Sequence, residues 1–255
     1  MIGIRRGNAH VVLFAFAVLL AVPSVAVASS GGSPLALSPS PSLLSVGPSP
    51  IVQPGDLTVS ASGDGITVAS DESAQLRNQL QFTGNAPVGA EGQPVQIERL
   101  GRQTGWTWAI TAGATVGPGG SFSASWQTNH IGRFSIRVLV GAPASPQAAA
   151  ASPTLTITVY RPSLATEYGP GFYGRRTGCG QVLKRGTIGV ANKTLPCGMP
   201  VAIYFHGQTL VVPVIDRGPY ANGADWDLTE ATGRALGIQG TAMIGAVSLP
   251  SPPTR

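Results

Sequence analysis

From residue 51 to about 160 the chain repeats one pattern: apolar and polar residues alternate for a few positions, and a cluster of turn residues then ends the run. Leu57-Thr58-Val59-Ser60 is one such run, and residues 76–83, 95–100, 106–110, 122–127, 134–138 and 154–159 are the others. Pro118-Gly119-Gly120 marks a turn between two of them. Alternation with period two gives each strand one apolar and one polar face, and a helix cannot use it. About seven short strands at regular turn spacing predict an immunoglobulin-like β-sandwich over 51–160. The composition agrees, with 34 Gly, 22 Pro and only 11% charged residues in 255, which favours an all-β chain. No cysteine falls in this half, so its core must carry its own stability. Trp106, Trp108, Trp126 and Phe134 read as packing rather than as a sugar platform. His130 stands alone and reads as a turn residue, and residues 141–153 read as a long hairpin loop. No carboxylate cluster, histidine pair or phosphate-binding glycine loop occurs here.

The N-terminal residues belong to a different category. Arg5 and Arg6 precede an apolar run at 11–22 that is too short for a comfortable membrane span, and Ala26-Val27-Ala28 follows as a small-x-small cleavage site. Residues 1–28 therefore read as a secretory signal peptide, with the mature chain starting near Ser29. No cysteine lies near the cleavage site to carry a lipid, so no stable membrane anchor is expected after cleavage. Residues 29–50 form a Ser/Pro-rich linker expected to be disordered. The formal charge is +5, and two of those charges leave with Arg5 and Arg6. So mild a basicity does not call for nucleic acid; an exported, secreted protein at an anionic cell surface fits it better. The chain is expected to act as a monomer.

From Leu164 the texture changes. Val201–Phe205 and residues 209–214 predict a hairpin across His206-Gly207-Gln208, with His206 exposed at its tip. Val211, Val212, Val214 and Ile215 suit a buried strand, in which Pro213 predicts an edge or a bulge. That strand ends in Asp216-Arg217-Gly218-Pro219, which turns the chain and leaves a carboxylate facing a groove or a partner. Asp227-Leu228-Thr229-Glu230 reads as a capping box with Asp227 as N-cap. Leu228, Ala231, Ala235 and Leu236 then share a helical face, and Gly237 stops the helix. Residues 241–249 read as a closing strand and 251–255 as a tail. The two cysteines of the chain, Cys179 and Cys197, predict a disulfide in an exported protein, worth about 3 kcal/mol by loop closure. A metal pair is disfavoured because no His or acidic partner sits at ligand spacing.

Tyr168-Gly169-Pro170-Gly171-Phe172, Arg176-Thr177-x-x-Gly180, Lys193-Thr194-Leu195-Pro196, Asp216-Arg217-Gly218-Pro219 and Asp227-Leu228-Thr229 follow one another in this order. In this they resemble the rare lipoprotein A (RlpA)-like family, over about 164–249 and not in the N-terminal half. The resemblance implies a six-stranded double-psi β-barrel over 161–250, similar to those of expansins and barwin-like proteins, and a bacterial cell-wall glycan, peptidoglycan, as partner. No cofactor and no metal are expected. Active members of the family are lytic transglycosylases that use a Glu, a His and the Asp of Asp-Arg-Gly-Pro. At those positions this chain has Gln181, Asn192 and Asp216. Neither amide exchanges a proton at neutral pH, although both keep a hydrogen-bonding shape. Glu167 replaces an aromatic residue and places a carboxylate near the groove mouth.

Two functions follow from the resemblance. One is a glycan binder, with Tyr168, Tyr173 and Tyr220 stacking on sugars and Gln181, Asn192, Arg217 and Asp227 holding polar groups around Asp216. The other is a transglycosylase in which Asp216 serves as acid and then base, since this chemistry does not require the carboxylate pair of the hydrolases. An expansin-like wall-loosening or protein-scaffold role without catalysis is a third. The plain structural alternative is that Asp216 pairs with Arg217 to pin its loop.

Overall fold

The structure, a computed structural model, describes residues 52–54, 57–142, 145–220 and 223–251. The expected signal peptide, the linker and all of the tail after Ser251 lie outside the described residues. The elements in chain order are β1 (Val52–Pro54), β2 (Thr58–Gly63), β3 (Ile66–Asp71), β4 (Ser73–Gln75), β5 (Gln79–Asn85), β6 (Pro94–Leu100), β7 (Ala109–Thr115), β8 (Ser121–Gln127) and β9 (Gly132–Val140). Then follow α1 (Pro146–Ala150), β10 (Thr154–Tyr168), β11 (Val190–Ala191), β12 (Pro200–Phe205), β13 (Gln208–Asp216), β14 (Trp226–Thr229), α2 (Glu230–Leu236) and β15 (Ala242–Ser248).

In the first half, the sheet β2-β3-β5-β8 and the run β10-β9-β6-β7 share one core. Alternation does what the sequence predicts. Phe122, Ala124 and Trp126 of β8, and Phe134, Ile136 and Val138 of β9, are buried, while their odd neighbours on β8 face solvent. Trp126 meets Phe134 edge-on at 5.7 Å between ring centres, and the Arg99 guanidinium lies over both rings.

Several boundaries differ from expectation. The strand expected at 106–110 begins only at Ala109. Gly105 and Trp106 both take left-handed backbone, with φ of 61° and 60°, so the chain is still turning at Trp106 and its alternation there does not describe a strand. Trp106 and Trp108 are half-buried rather than core. Leu76 lies before β5 rather than in it. Residues 66–71, not singled out in the sequence, form β3 with Ile66 and Val68 in the core. The loop at 141–153 contains the short α1.

The C-terminal strands close on themselves in the order β10-β14-β11-β13-β12-β15, with β15 returning to β10, giving a six-stranded barrel. Its core includes Ala165, Val190, Val201, Ile203, Leu210, Val212, Val214, Leu228 and Ile244. The β12–β13 hairpin turns at His206 and Gly207, both at positive φ (46° and 80°), as a two-residue hairpin turn demands. Pro213 lies on an interior strand, yet it behaves as a local edge. β1 pairs with β13 at 208–210 and β11 pairs with it only at Val214 and Asp216. Pro213 falls in the gap between, where no ladder needs its missing N–H.

β10 belongs to both halves. Residues 154–159 pair with β9, and 161–168 pair with β15 and β14. Where it crosses, buried Tyr160 packs with Ala202 and Val247, and its hydroxyl meets Thr209 Oγ1 at 3.1 Å. Among the described residues, no helix is long and apolar enough to cross a membrane.

Candidate functional site

Strand register builds the site. Thr166 of β10 pairs with Asp227 of β14, Asp227 with Ala191 of β11, and Ala191 with Asp216 of β13. At about 4.8 Å per strand the two aspartates stand roughly 10 Å apart at the backbone. Between them lies only the methyl group of Ala191, which leaves a shallow floor.

Asp216 ends β13 half-buried. Its Oδ1 accepts the Gly178 N–H at 2.6 Å and the Arg217 N–H at 2.8 Å. The Arg217 side chain turns elsewhere. It donates to the Leu195 carbonyl at 2.9 Å, to the Asn192 carbonyl at 3.3 Å and to Cys197 Sγ at 3.1 Å. The two ion pairs found among the described residues are Arg137–Glu98 and Arg234–Glu230. The Asp216–Arg217 ion pair of the structural alternative is therefore not formed; the carbonyls of the 192–195 loop win the guanidinium. Position 178 must be glycine for the approach to work, because a Cβ there would lie 2.8 Å from Arg217 Cγ and 3.1 Å from Asp216 Oδ1.

Asp227 is not the helix cap that its sequence context predicts. It lies within β14, paired on both sides, and accepts the Thr166 hydroxyl at 2.8 Å. Thr229 caps α2 instead, taking the Thr232 N–H at 3.2 Å. Burial pushes the Asp227 carboxyl above the ordinary value of 3.8; the Thr166 hydrogen bond opposes this, and the charges of Asp216 and Glu167 add to it. Leu228, expected on the helix, points into the barrel core. Tyr168 sits two residues beyond Thr166, on the same face. Its hydroxyl is buried and lies toward the Asp216 carboxylate, short of a well-formed hydrogen bond. Burial first, then the nearby carboxylates of Asp216 and Asp227, hold it protonated far above the usual phenol range.

Two loops adjoin this floor, one through the Gly178 N–H on Asp216 and the other through the carbonyls and sulfur that hold the Arg217 side chain. The Cys179–Cys197 disulfide, with Cα atoms 5.7 Å apart, ties them together as expected. Gln181 is exposed on one wall, and its carbonyl accepts the Thr177 N–H. Asn192 is on the other, where its Oδ1 already accepts the Thr194 and Leu195 N–H groups, so only its amide NH₂ is left for a ligand. Tyr220 is 79% exposed beyond the Asp216 turn. Tyr173 does not face this floor: its hydroxyl donates to Glu230, and Arg185 covers its ring. Glu167 is likewise elsewhere, accepting the Gly240 N–H at 2.6 Å and packed against Gly233. It follows strand alternation, pointing opposite to Tyr168. Sequence reasoning passed over Phe172, which is 51% exposed and meets Tyr168 edge-on at 6.2 Å; an exposed aromatic in a Gly-Phe-Tyr-Gly turn was the available signal. Among the described residues, no three His, Cys, Asp or Glu side chains converge as a metal-binding set.

Residues 165–248 match the family described as Lytic transglycolase. Over 96 residues the chain is 38% identical to the probable endolytic peptidoglycan transglycosylase RlpA of Synechocystis sp., covering 37% of this chain and 30% of that protein. It is 36% identical over 76 residues to the corresponding Aquifex aeolicus protein (29% of this chain, 34% of that one). It is 32% identical over 85 residues to the endolytic peptidoglycan transglycosylase RlpA of Campylobacter jejuni (32% and 31%). The chain thus spans about a third of the length of the curated relatives it matches. Among solved structures, the Streptomyces papain inhibitor (SPI) aligns with a TM-score of 0.29 at 22% identity, over 35% of this chain and 93% of that one. Family match, curated relatives and topology agree: residues 165–248 of this chain are similar to RlpA proteins and form a closed six-stranded barrel consistent with a double-psi β-barrel.

Proposed function

We propose that this is a secreted cell-wall protein whose barrel binds the glycan strands of peptidoglycan across the floor formed by Asp216, Ala191 and Asp227. The N-terminal half then serves as an immunoglobulin-like sandwich that presents it. The observation that carries the reading is a pair of polar groups on the floor with hydrogen-bonding capacity to spare. Asp216 accepts two backbone N–H groups through Oδ1 but is not neutralised by Arg217, and the Tyr168 hydroxyl, buried beside Asp216, makes no well-formed hydrogen bond. Buried polar groups are normally satisfied, and a sugar strand brings hydroxyl and acetamido groups that would satisfy these. Tyr220 flanks the floor as an exposed ring suited to stacking on a pyranose face, and Phe172, with the Arg175 guanidinium over one side, leaves its other face exposed. Gln181 and the Asn192 amide line the walls.

A second reading is retained catalysis, favoured by the raised Asp227 carboxyl. In it, a protonated carboxyl on the floor gives its proton to the glycosidic oxygen as the C1–O bond breaks. The sugar's own C6 hydroxyl attacks C1 and releases its proton to a carboxylate, leaving an anhydro-sugar end. Asp216 and Asp227 are the groups able to share these two steps; Gln181 and Asn192 cannot take either.

Purified sacculi incubated with the full chain test both. Retention of the protein on sedimented sacculi, lowered by Asp216→Ala, supports the binding reading; no retention sinks it. Soluble anhydro-sugar products that vanish in Asp216→Asn and Asp227→Asn would establish the catalytic one.

A further inference from the structure

A second concavity lies where the first half meets the barrel. It encloses about 350 Å³ and is lined by Leu100, Arg102, Gln103, Trp106, residues 131–135, Thr156 and residues 247–250. None of these residues lines the floor at Asp216.

Three observations distinguish this cavity. First, its polar side chains are largely idle. Among the described residues, neither the Arg102 guanidinium nor the Trp106 indole N–H has a hydrogen-bond partner, and Gln103 makes a single long contact of 3.5 Å to the Ile131 carbonyl. Second, Trp106 is held in left-handed backbone at φ 60°, a conformation unfavourable for a bulky side chain. The Trp106 N–H donates to the Gly101 carbonyl at 2.9 Å to fix the turn, and the ring ends up half-buried in the cavity wall rather than in the core that takes Trp126. Third, the charge is of one sign. No Asp or Glu lines the cavity. Its cations are Arg133, which makes one long contact from Nε to Thr158 Oγ1 at 3.5 Å, and Arg102, which makes none among the described residues.

We propose that this cavity is a binding site for an acidic saccharide, a pyranose bearing a carboxylate. The Trp106 ring takes the apolar sugar face and its N–H a ring substituent. Arg102 takes the carboxylate in the two-pronged fashion open to a guanidinium. Gln103 takes a hydroxyl, and Leu249 and Pro250 form an apolar wall. The volume is at the low end of small-molecule sites, enough for one or two sugar rings. An aromatic ring with an idle N–H favours a saccharide over a peptide carboxylate. The cell-wall reading above enters only in the choice of probe.

The test uses the full chain and the disaccharide N-acetylglucosaminyl-N-acetylmuramic acid, followed through the indole N–H resonances of its 4 tryptophans. Trp106→Phe assigns the signal. Saturable movement of the Trp106 resonance is expected, with affinity at least tenfold weaker in Arg102→Ala and at least tenfold weaker for the carboxylate-free disaccharide of N-acetylglucosamine. Arg102 is exposed, so its replacement leaves the fold intact. A Trp106 signal that does not move overturns the site. Unchanged affinity in Arg102→Ala, or equal binding of the neutral disaccharide, overturns the acidic specificity. Displacement by a free acidic tripeptide at equal concentration overturns the saccharide assignment. Retention on sacculi by Asp216→Ala is scored separately: loss there with an intact Trp106 response, or the reverse, tells failure of one site from failure of the other.

Discussion

Arg217 reaches the Asp216 carboxylate with its backbone and not with its side chain. The backbone N–H lies 2.8 Å from Oδ1, while the guanidinium sits on the Leu195 carbonyl and Cys197 Sγ. The arginine thus braces the 192–197 wall, and the aspartate keeps a free edge toward the groove. Adjacent residues of opposite charge have taken separate tasks.

Asp216→Asn is expected to leave the fold nearly unchanged, because an amide oxygen still accepts the Gly178 and Arg217 N–H groups. Asp216→Ala removes the acceptor of both donors; Gly178 is exposed and can turn to water, so the cost should be about 0.5–1.5 kcal/mol. Thermal melts of the two variants check this. Were Asp216 merely pinning its loop, sacculus binding in the folded fraction would stay at the wild-type level in both.

Asp227 makes stability depend on acid. Its native value is raised, so the folded state binds the proton more tightly than the unfolded one. The contribution is present below pH 3.8 and fades as pH rises through the native value. Asp227→Asn keeps an acceptor for Thr166 and removes that fading, so the variant should gain on wild type as pH rises from 4 to about 7. Urea midpoints measured across that range check the sign.

Gly178→Ala forces a methyl group against Arg217 Cγ at 2.8 Å. We expect a loss of about 1–3 kcal/mol together with weaker sacculus retention, since the displaced loop carries the N–H that holds Asp216. Unaltered retention at full folding would show that the loop position does not matter.

Opening the disulfide should cost about 3 kcal/mol for a loop of this length and free both walls at once. Cys179→Ser with Cys197→Ser is expected to lower the melting temperature and to speed amide exchange at Gly178 and Asn192, with the β9 amides unaffected. Mass spectrometry with and without reduction confirms the bond independently.

Strict alternation made the buried faces of β8 and β9 legible in sequence, since every second residue is apolar there. The closing strand and the disulfide were legible too. Asp227 was not, because Asp-Leu-Thr-Glu reads alike as a cap or as a strand end. Pairing with Thr166 and Ala191, both distant in sequence, decides for the strand. Trp106 misled for the opposite reason: its neighbours alternate like a strand, but two left-handed residues keep the chain turning. For Arg217 the choice lay with carbonyls on another loop, which no local pattern displays. Of the three tyrosines expected on the sugar, Tyr173 was lost to Glu230, and its neighbour Phe172 took the exposed position.

β10 is one unbroken 15-residue strand shared by both halves. A cut between 160 and 161 would sever a beam rather than a linker, and the fragment 161–255 should melt below the barrel in the whole chain. A beam of this kind has no joint. Tension applied to the first half loads the ladders to β9 and to β15 in shear, along the strand, where many hydrogen bonds must fail together. Thr156 at the Trp106 cavity and Thr166 beside Asp227 stand on this same strand, so a load at one is carried to the other without an intervening linker.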